Sequence, residues 1–488
     1  MSSPIDGSVM SRVKIPPTVL CAILLLSIPG AEAGDDVFNT QSQVPDGPAA
    51  PLLQNGDGTC RRTLISSPLA LMEAIERSLC ESPKTHVAWA TVKAAAAQMG
   101  QSKAAYLPTL DGTISYATDH YDAAVTKQSG LQSNFSQPVN TEALTLGWLL
   151  YDFGGREAAL KSSRLLLVAA NANQNLILQA VFANTAKDYY TAQAAAAAVK
   201  SALRIESDTR QTLDAATARY RTGVAPITDQ LQANTANAQA VFQRAKAEGA
   251  LRIAVGTLAI DMSLSTDYPL QLPELDQSVL PDTSFVHAVH DLVEEAVQSH
   301  PSIVVARAQW KAALEEVRVA RAQGLPKLSV AGTLSRSDQP LSASLGQPDY
   351  PAVTRQGSIG LSIEFPLFQG FAWEYKVRQA EALAETDAQA LRDAELQVSI
   401  GIWSSFQTLQ TATENLRNTD IVLQSARDSF DASEHRYQSG VGGILELLTA
   451  QSTLATAEQQ QIQAQLDWRT ARIQLAQSLG RLGLWTVQ

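Results

Sequence analysis

Two carboxylates stand in matching places. Asp229 and Glu446 each lie six residues after the glycine of an Arg-Tyr-x-x-Gly-Val string, at 219–224 and 436–441. An acid there suits the start of a helix, where unpaired N–H groups carry partial positive charge. The other reactive residue types are scattered. The histidines are His86, His120, His287, His290, His300 and His435. His287 and His290 are three apart, a spacing a metal could bridge, but two such ligands alone read as surface residues of a helix. The three cysteines, Cys21, Cys60 and Cys80, have neither a disulfide framework nor a metal-ligand spacing. Cys60 and Cys80 either bridge after export to an oxidising compartment or stand as separate thiols. There is no Gly-rich phosphate loop of the expected form and no catalytic constellation. The chain is therefore expected to be no enzyme and to hold no cofactor and no metal.

The elements that position the two acids are long. From Arg156 to Arg221 there is no Gly or Pro, and Ala, Leu, Gln, Lys and Arg dominate. These residues form helix well, and one unbroken helix here would be about 100 Å long. Lys161, Arg164, Asn171, Gln174, Lys187, Asp188, Arg204 and Glu206 exclude it as a membrane span on this reading. A second run, Phe371 to Ser439, is interrupted only by Gly401. Gly223 can take positive φ and close the first helix, and Pro226 can open the next, which runs to about Ile260. Gly440-Val441 and Ile444-Leu445-Glu446 repeat the turn, and a final helix runs to about Leu479. Two αα-hairpins result.

Between helices the period changes to two. Leu110, Gly112, Ile114 and Tyr116 alternate with Asp111, Thr113 and Ser115, the pattern of a strand with one apolar face. Strands are expected at about 109–118 and 142–153, and again at about 327–336 and 357–368, each pair around a polar loop. No later segment is a long uncharged apolar run, so any membrane crossing falls to strands. Aromatic residues gather at the strand–helix junctions: Trp148, Tyr151 and Phe153, then Phe365, Phe368, Phe371 and Trp373. Their recurrence fits an interfacial belt.

The order of landmarks is duplicated. Pro83 to Pro108 and Pro301 to Pro326 each span 25 residues, and the hairpin turns recur at an offset near 217. The fold expected is mainly α with a small β part, built from a duplicated helix–strand–strand–long-helix unit. The expected division is a secretory leader at 1–33, a flexible N-terminus at 34–66, repeats at 67–265 and 285–488, and a linker at 266–284. The leader rests on basic Arg12 and Lys14, an apolar Val19–Ile28 core and Ala31-Glu32-Ala33. Leu20, not a small residue, precedes Cys21, which argues against acylation there. Ser66 or Ser67 is expected to cap the first helix. The 488 residues carry a net charge of −11, which argues against a nucleic-acid partner.

Four strands cannot close a membrane barrel alone, because small barrels have about eight or more. The chain must then associate with copies of itself, and eight, twelve or sixteen strands all satisfy the arithmetic.

With these motifs, with Leu-Tyr-Asp-Phe-Gly-Gly at 150–155 and with Pro-Leu-Phe-Gln-Gly at 366–370, the chain resembles the outer-membrane efflux protein family, the TolC-like trunk channels. The resemblance covers about Leu69 to Leu482. It implies a homotrimer, with a twelve-stranded β-barrel in outer-membrane lipid continuous with a long periplasmic α-helical barrel. It also implies an inner-membrane ABC transporter or other pump and a periplasmic adaptor as partners. The tunnel would close near Gly223-Val224 and Gly440-Val441. Glu446 matches the acid that rings the entrance in this family, and Thr449 stands where some relatives carry a second. Asp229 and Tyr437 match members of a polar latch, but Gly442 occupies the position of its Arg, leaving Arg436 or Arg219 as substitutes. The function implied is an exit duct, in type I protein secretion or alternatively in a multidrug or metal efflux pump. A periplasmic coiled-coil adaptor is the reading from a different class.

Overall fold

The computed structural model describes residues 36–52, 60, 65–124, 132–274, 289–339, 350 and 352–482. The expected leader and His287 lie outside these residues, and for His290 only the backbone is described.

Helices α1 (Leu71–Glu81) and α2 (Pro83–Ala104) precede strands β1 (Thr109–Ala124) and β2 (Gln132–Tyr151), then helices α3 (Gly155–Arg221) and α4 (Ile227–Asp261). The second half repeats this as α5 (Val289–Ser299), α6 (Pro301–Ala322), β3 (Lys327–Ser337), β4 (Thr354–Glu364), α7 (Ala372–Gln438) and α8 (Ile444–Ser478). Corresponding helices have identical lengths: 11, 22, 67 and 35 residues. Helix α7 runs through Gly401 unbroken, because a lone glycine costs a helix only about 1 kcal/mol. Contrary to the reading from polar content, α3 holds an 18-residue window apolar enough to cross a membrane. Part of that surface packs inside the protein: Leu178, Phe182 and Ala186 meet Ile75, Leu79 and Ile473 in a buried cluster.

The first helix starts later than expected. Its N-cap is Ala70, with no side-chain cap. Ser66 instead donates from its backbone to Glu73 Oε1 at 2.8 Å, and the Ser67 hydroxyl binds Gln271. Pro83 and Pro301 open α2 and α6, where a missing N–H costs nothing. Ser82 caps the former. His300 caps the latter through Nδ1, which accepts from Ser302 N at 3.2 Å.

That cap requires a neutral imidazole. Burial lowers the His300 pKa, opposed by a hydrogen bond to the Gln477 backbone. A depressed folded pKa means the unfolded chain takes up the proton first, so stability is full above about pH 6.5 and falls as the pH drops below it. Thermal unfolding at pH 7 and pH 5 should show a loss of about 1 kcal/mol, the size of an N-cap. His300→Ser, which copies Ser82, should remove that part of the acid sensitivity.

The four strands form one antiparallel sheet in the order β1-β2-β3-β4, so β1 and β4 are its edges. The β1–β2 ladder continues to Ala124↔Gln132, so most of the polar loop expected between the first two strands is itself strand. Polar side chains do not prevent this, since the ladder is made by backbone groups. In the second half β4 stops at Glu364 rather than 368, because Pro366 has no N–H to donate. Each strand-to-helix turn needs two successive residues with positive φ: Phe153 and Gly154 (52° and 89°), then Gly370 and Phe371 (61° and 65°). The second residue of each long helix pins the junction. Arg156 donates to Leu149 O at 2.7 Å and Leu150 O at 3.0 Å and lies over Tyr106. Its counterpart Trp373 donates to Ala320 O at 2.9 Å and covers Gly324, where a Cβ would fall 2.3 Å from the ring.

The described part of the expected flexible N-terminus is packed. Lys103 Nζ holds Phe38 O at 2.8 Å, Trp89 Nε1 holds Pro45 O at 2.9 Å and Gln174 holds Pro48 O at 3.1 Å. Side chains of α2 and α3 thus supply donors to carbonyls of a strap whose regular structure is one short 3-10 turn, Gln41–Gln43, and Ala49 is fully buried. A disulfide joins Cys60 to Cys80 in α1.

Candidate functional site

The two hairpins end side by side. Each long helix closes with a glycine at positive φ, Gly223 at 75° and Gly440 at 79°. The next N–H reaches back five residues, Val224 to Arg219 O at 2.9 Å and Val441 to Arg436 O at 3.0 Å. These are glycine C-caps that satisfy the last carbonyls. Val224 and Val441 project outward, 76% and 71% exposed. Asp229 and Glu446 both occupy the third position of their helices.

One small core ties the four helix ends together: Ala216, Ala233, Tyr437, Ile444 and Leu447. Tyr437 is its largest member, 4% exposed, and its hydroxyl has no hydrogen-bond partner among the described residues. Arg219 crosses from the first hairpin to the second. Its guanidinium lies 4.3 Å from the Tyr437 ring centre and donates to Tyr437 O and Gln438 O, at 2.5 and 3.2 Å. It therefore caps the negative end of α7 while stacking on an aromatic face. Burial raises the Tyr437 pKa, the Arg219 charge opposes this and Asp229 adds to it. Arg436 pairs with Glu446, Nε to Oε1 at 3.0 Å.

At Gly442 an added Cβ would meet Arg436 Cβ at 3.0 Å and Tyr437 N at 3.1 Å. A side chain there, arginine included, requires its neighbours to give by a few tenths of an ångström. The residues singled out in sequence thus fall into two contacts, Arg219 with Tyr437 and Arg436 with Glu446. Asp229 reaches Tyr437 only through its charge.

At the other end lies the sheet. Its register sorts the strands into two faces. One carries the rows Trp148–Val330–Leu361, Leu110–Leu146–Gly332–Ile359 and Gly112–Leu144–Leu334–Gly357. Leu110, Leu144, Trp148, Leu334, Ile359 and Leu361 are exposed there. The opposite face carries Thr109–Gly147–Ala331–Gly360, Asp111–Thr145–Thr333–Ser358 and Thr113–Ala143–Ser335–Gln356. One side is apolar without cover, and the other is small and polar. The apolar band is bounded by Phe365 below and Arg355 above. Ten residues span about 33 Å along a strand, hence about 25 Å in height at the tilt usual in membrane barrels. Tyr151, Phe153, Phe365, Phe368 and Phe371 are exposed at its lower edge. Trp373 is not, being turned onto Gly324.

Some residues had no sequence signal. Asp261 at the end of α4 has a raised pKa, through burial first and then through a hydrogen bond and charge from Asp188, with Lys84 opposing. The matching positions of the second half hold Ser478, Ser405 and Ser302. Only that comparison between halves, made with the register in hand, picks the three out.

Comparison with known proteins bears on the family and the fold. The chain matches the outer membrane efflux protein family over residues 74–260 and 292–481. It is 30% identical to protein CyaE of Bordetella pertussis over 420 residues, 86% of this chain and 85% of that one. It is 26% identical to the toluene efflux pump outer membrane protein TtgC of Pseudomonas putida, over 92% of this chain and 90% of that one. The solved outer membrane protein VceC of Vibrio cholerae superposes with a TM-score of 0.70 at 20% identity, covering 84% and 96% of the two chains. The fold is that of a channel protein with a periplasmic helical part, and the chain belongs to the outer membrane efflux protein family, whose members serve as outer-membrane exit ducts.

Proposed function

We propose that three copies close a twelve-stranded barrel in the outer membrane, continuous with a tunnel of long helices across the periplasm. The observation that carries this is the two-faced open sheet. Its β1 and β4 edges have unpaired backbone groups, which lipid does not tolerate. Pairing β4 of one copy with β1 of the next removes every edge, turns the apolar face to lipid and encloses the Thr/Ser face around water.

The hairpin ends form the periplasmic gate. Arg219 on Tyr437 holds the two hairpins of a protomer together, Arg436 holds Glu446, and three copies of Asp229 and Glu446 line the entrance. The exposed Val224 and Val441 offer an apolar rim to a periplasmic adaptor. The adaptor connects to an inner-membrane ABC transporter, and the duct serves type I protein secretion. The greater identity to CyaE than to the toluene-pump component TtgC supports this choice. The second reading is the outer-membrane part of a drug or metal efflux pump.

Native mass spectrometry of protein extracted from outer membranes tests the assembly. Three chains per particle are expected. A monomer, or a particle of two or four chains, would refute the twelve-stranded barrel.

A further inference from the structure

The charged row that ends the apolar band has a composition that the barrel itself does not need. It reads Ile114–Glu142–Arg336–Arg355 across the four strands, on the same face as Leu144, Leu334 and Ile359. Arg336 and Arg355 are direct cross-strand partners. Like charges placed opposite one another destabilise a sheet. Glu142 offsets only one of them: its carboxylate lies 3.6 Å from Arg336 Nη1. The next acid outward, Asp338, accepts from Asn140, from its backbone at 2.5 Å and from Nδ2 at 2.7 Å, and its charge also favours Arg336, so Arg355 is the arginine left without an acid. Arg355 is exposed and has no acidic partner among the described residues. Immediately below lie Leu334 and Gly357, and Leu361 and Ile363 continue down β4.

Two arginines opposite one another in the register, at the top of a lipid-facing apolar strip, fit one kind of occupant. It has a phosphate at its head and acyl chains below. Guanidinium groups bind phosphate through paired, charge-assisted hydrogen bonds. Charged side chains on the lipid face are tolerated near the interface rather than at mid-depth. We propose that Arg336 and Arg355 form a binding site for the phosphate of an outer-leaflet lipid, with its acyl chains along Leu334, Ile359 and Leu361. This rests on the proposal that this face of the sheet meets lipid. The bound phosphate relieves the Arg–Arg repulsion, so the lipid acts as a clasp on the β3–β4 pair.

The test compares the wild-type protein with Arg355→Gln and with Arg336→Gln/Arg355→Gln, each purified in mild detergent. Diphosphoryl lipid A is titrated in, and retention is read by native mass spectrometry. Monophosphoryl lipid A, phosphatidylcholine and inorganic phosphate are the comparison probes. Loss of the two guanidinium groups should weaken retention of diphosphoryl lipid A about tenfold or more, the size of a charge-assisted contact. Phosphatidylcholine should not compete. Equal retention by wild type and double variant would overturn the site, as would full competition by inorganic phosphate alone. A variant that loses its trimer instead of its lipid would show that the arginines face a neighbouring copy, which also overturns it. The same preparations are tested for conductance in a planar bilayer. Conducting variants with unchanged lipid retention sink only the lipid site, whereas failure of the wild type to conduct sinks the barrel reading and the site with it.

Discussion

Ile359→Arg is expected to abolish assembly in the outer membrane. Ile359 is 77% exposed in mid-band, opposite Gly332, on the face assigned to lipid. An arginine at the centre of a barrel's lipid face costs about 2–4 kcal/mol, and a homotrimer carries that cost in every copy. The neighbouring Ser358 points the other way, opposite Thr333. Ser358→Arg should therefore leave assembly intact and shift the pore toward anion selectivity. Outer-membrane fractionation and heat-stable trimer bands on gels read both variants. Equal tolerance of the two, or loss of Ser358→Arg alone, would reverse the assignment of faces. Adjacent residues with opposite outcomes are a demanding check, because no general effect of a bulky cation on folding separates them.

The second large effect is expected at the hairpin ends. Arg219→Ala removes a ring contact and two bonds to the terminal carbonyls of α7. Each protomer loses about 2–4 kcal/mol of attraction between its hairpins. Ala216, Ala233, Ile444 and Leu447 still hold the helix ends, so the protein should fold and form trimers. The closed state should weaken, and conductance should rise severalfold. Arg436→Ala should act less, because its partner Glu446 is half exposed and such pairs are worth little. If Arg436→Ala opened the pore and Arg219→Ala did not, the latch would lie in the Arg436–Glu446 pair.

The long helices and their hairpin turns were legible in the sequence because each signal is local. Gly-free and Pro-free runs, a glycine at each C-cap and a proline at each start are written in single residues. The duplication was legible for the same reason. The strand ends were not. Asp119, His120, Ser133 and Asn134 look like loop, yet a backbone ladder runs through them without consulting side-chain polarity. The packed N-terminal strap was hidden because its partners, Trp89, Lys103 and Gln174, lie 44, 65 and 126 residues away.

The site was half legible. The repeat led to Asp229 and Glu446, and the resemblance added Tyr437 and named Gly442 as a departure. Neither could choose between Arg219 and Arg436, since both stand at the same place in their repeats. The fold separates them: one crosses to the other hairpin, and one stays on its own. Trp373 reads as a belt residue from its place at the strand–helix junction, and the fold half-buries it on Gly324, almost fifty residues earlier in the chain.

The central claim is a water-filled duct whose narrow end lies at the hairpin turns. Single-channel conductance in a planar bilayer, wild type against Glu446→Ala, with a trivalent cation added on the hairpin side, tests it most directly. A ring of three Glu446 carboxylates predicts a small, cation-selective conductance that the trivalent ion blocks in the wild type and leaves open in Glu446→Ala. No conductance from correctly inserted trimers would contradict the duct, and a block of equal strength in both proteins would remove Glu446 from the gate.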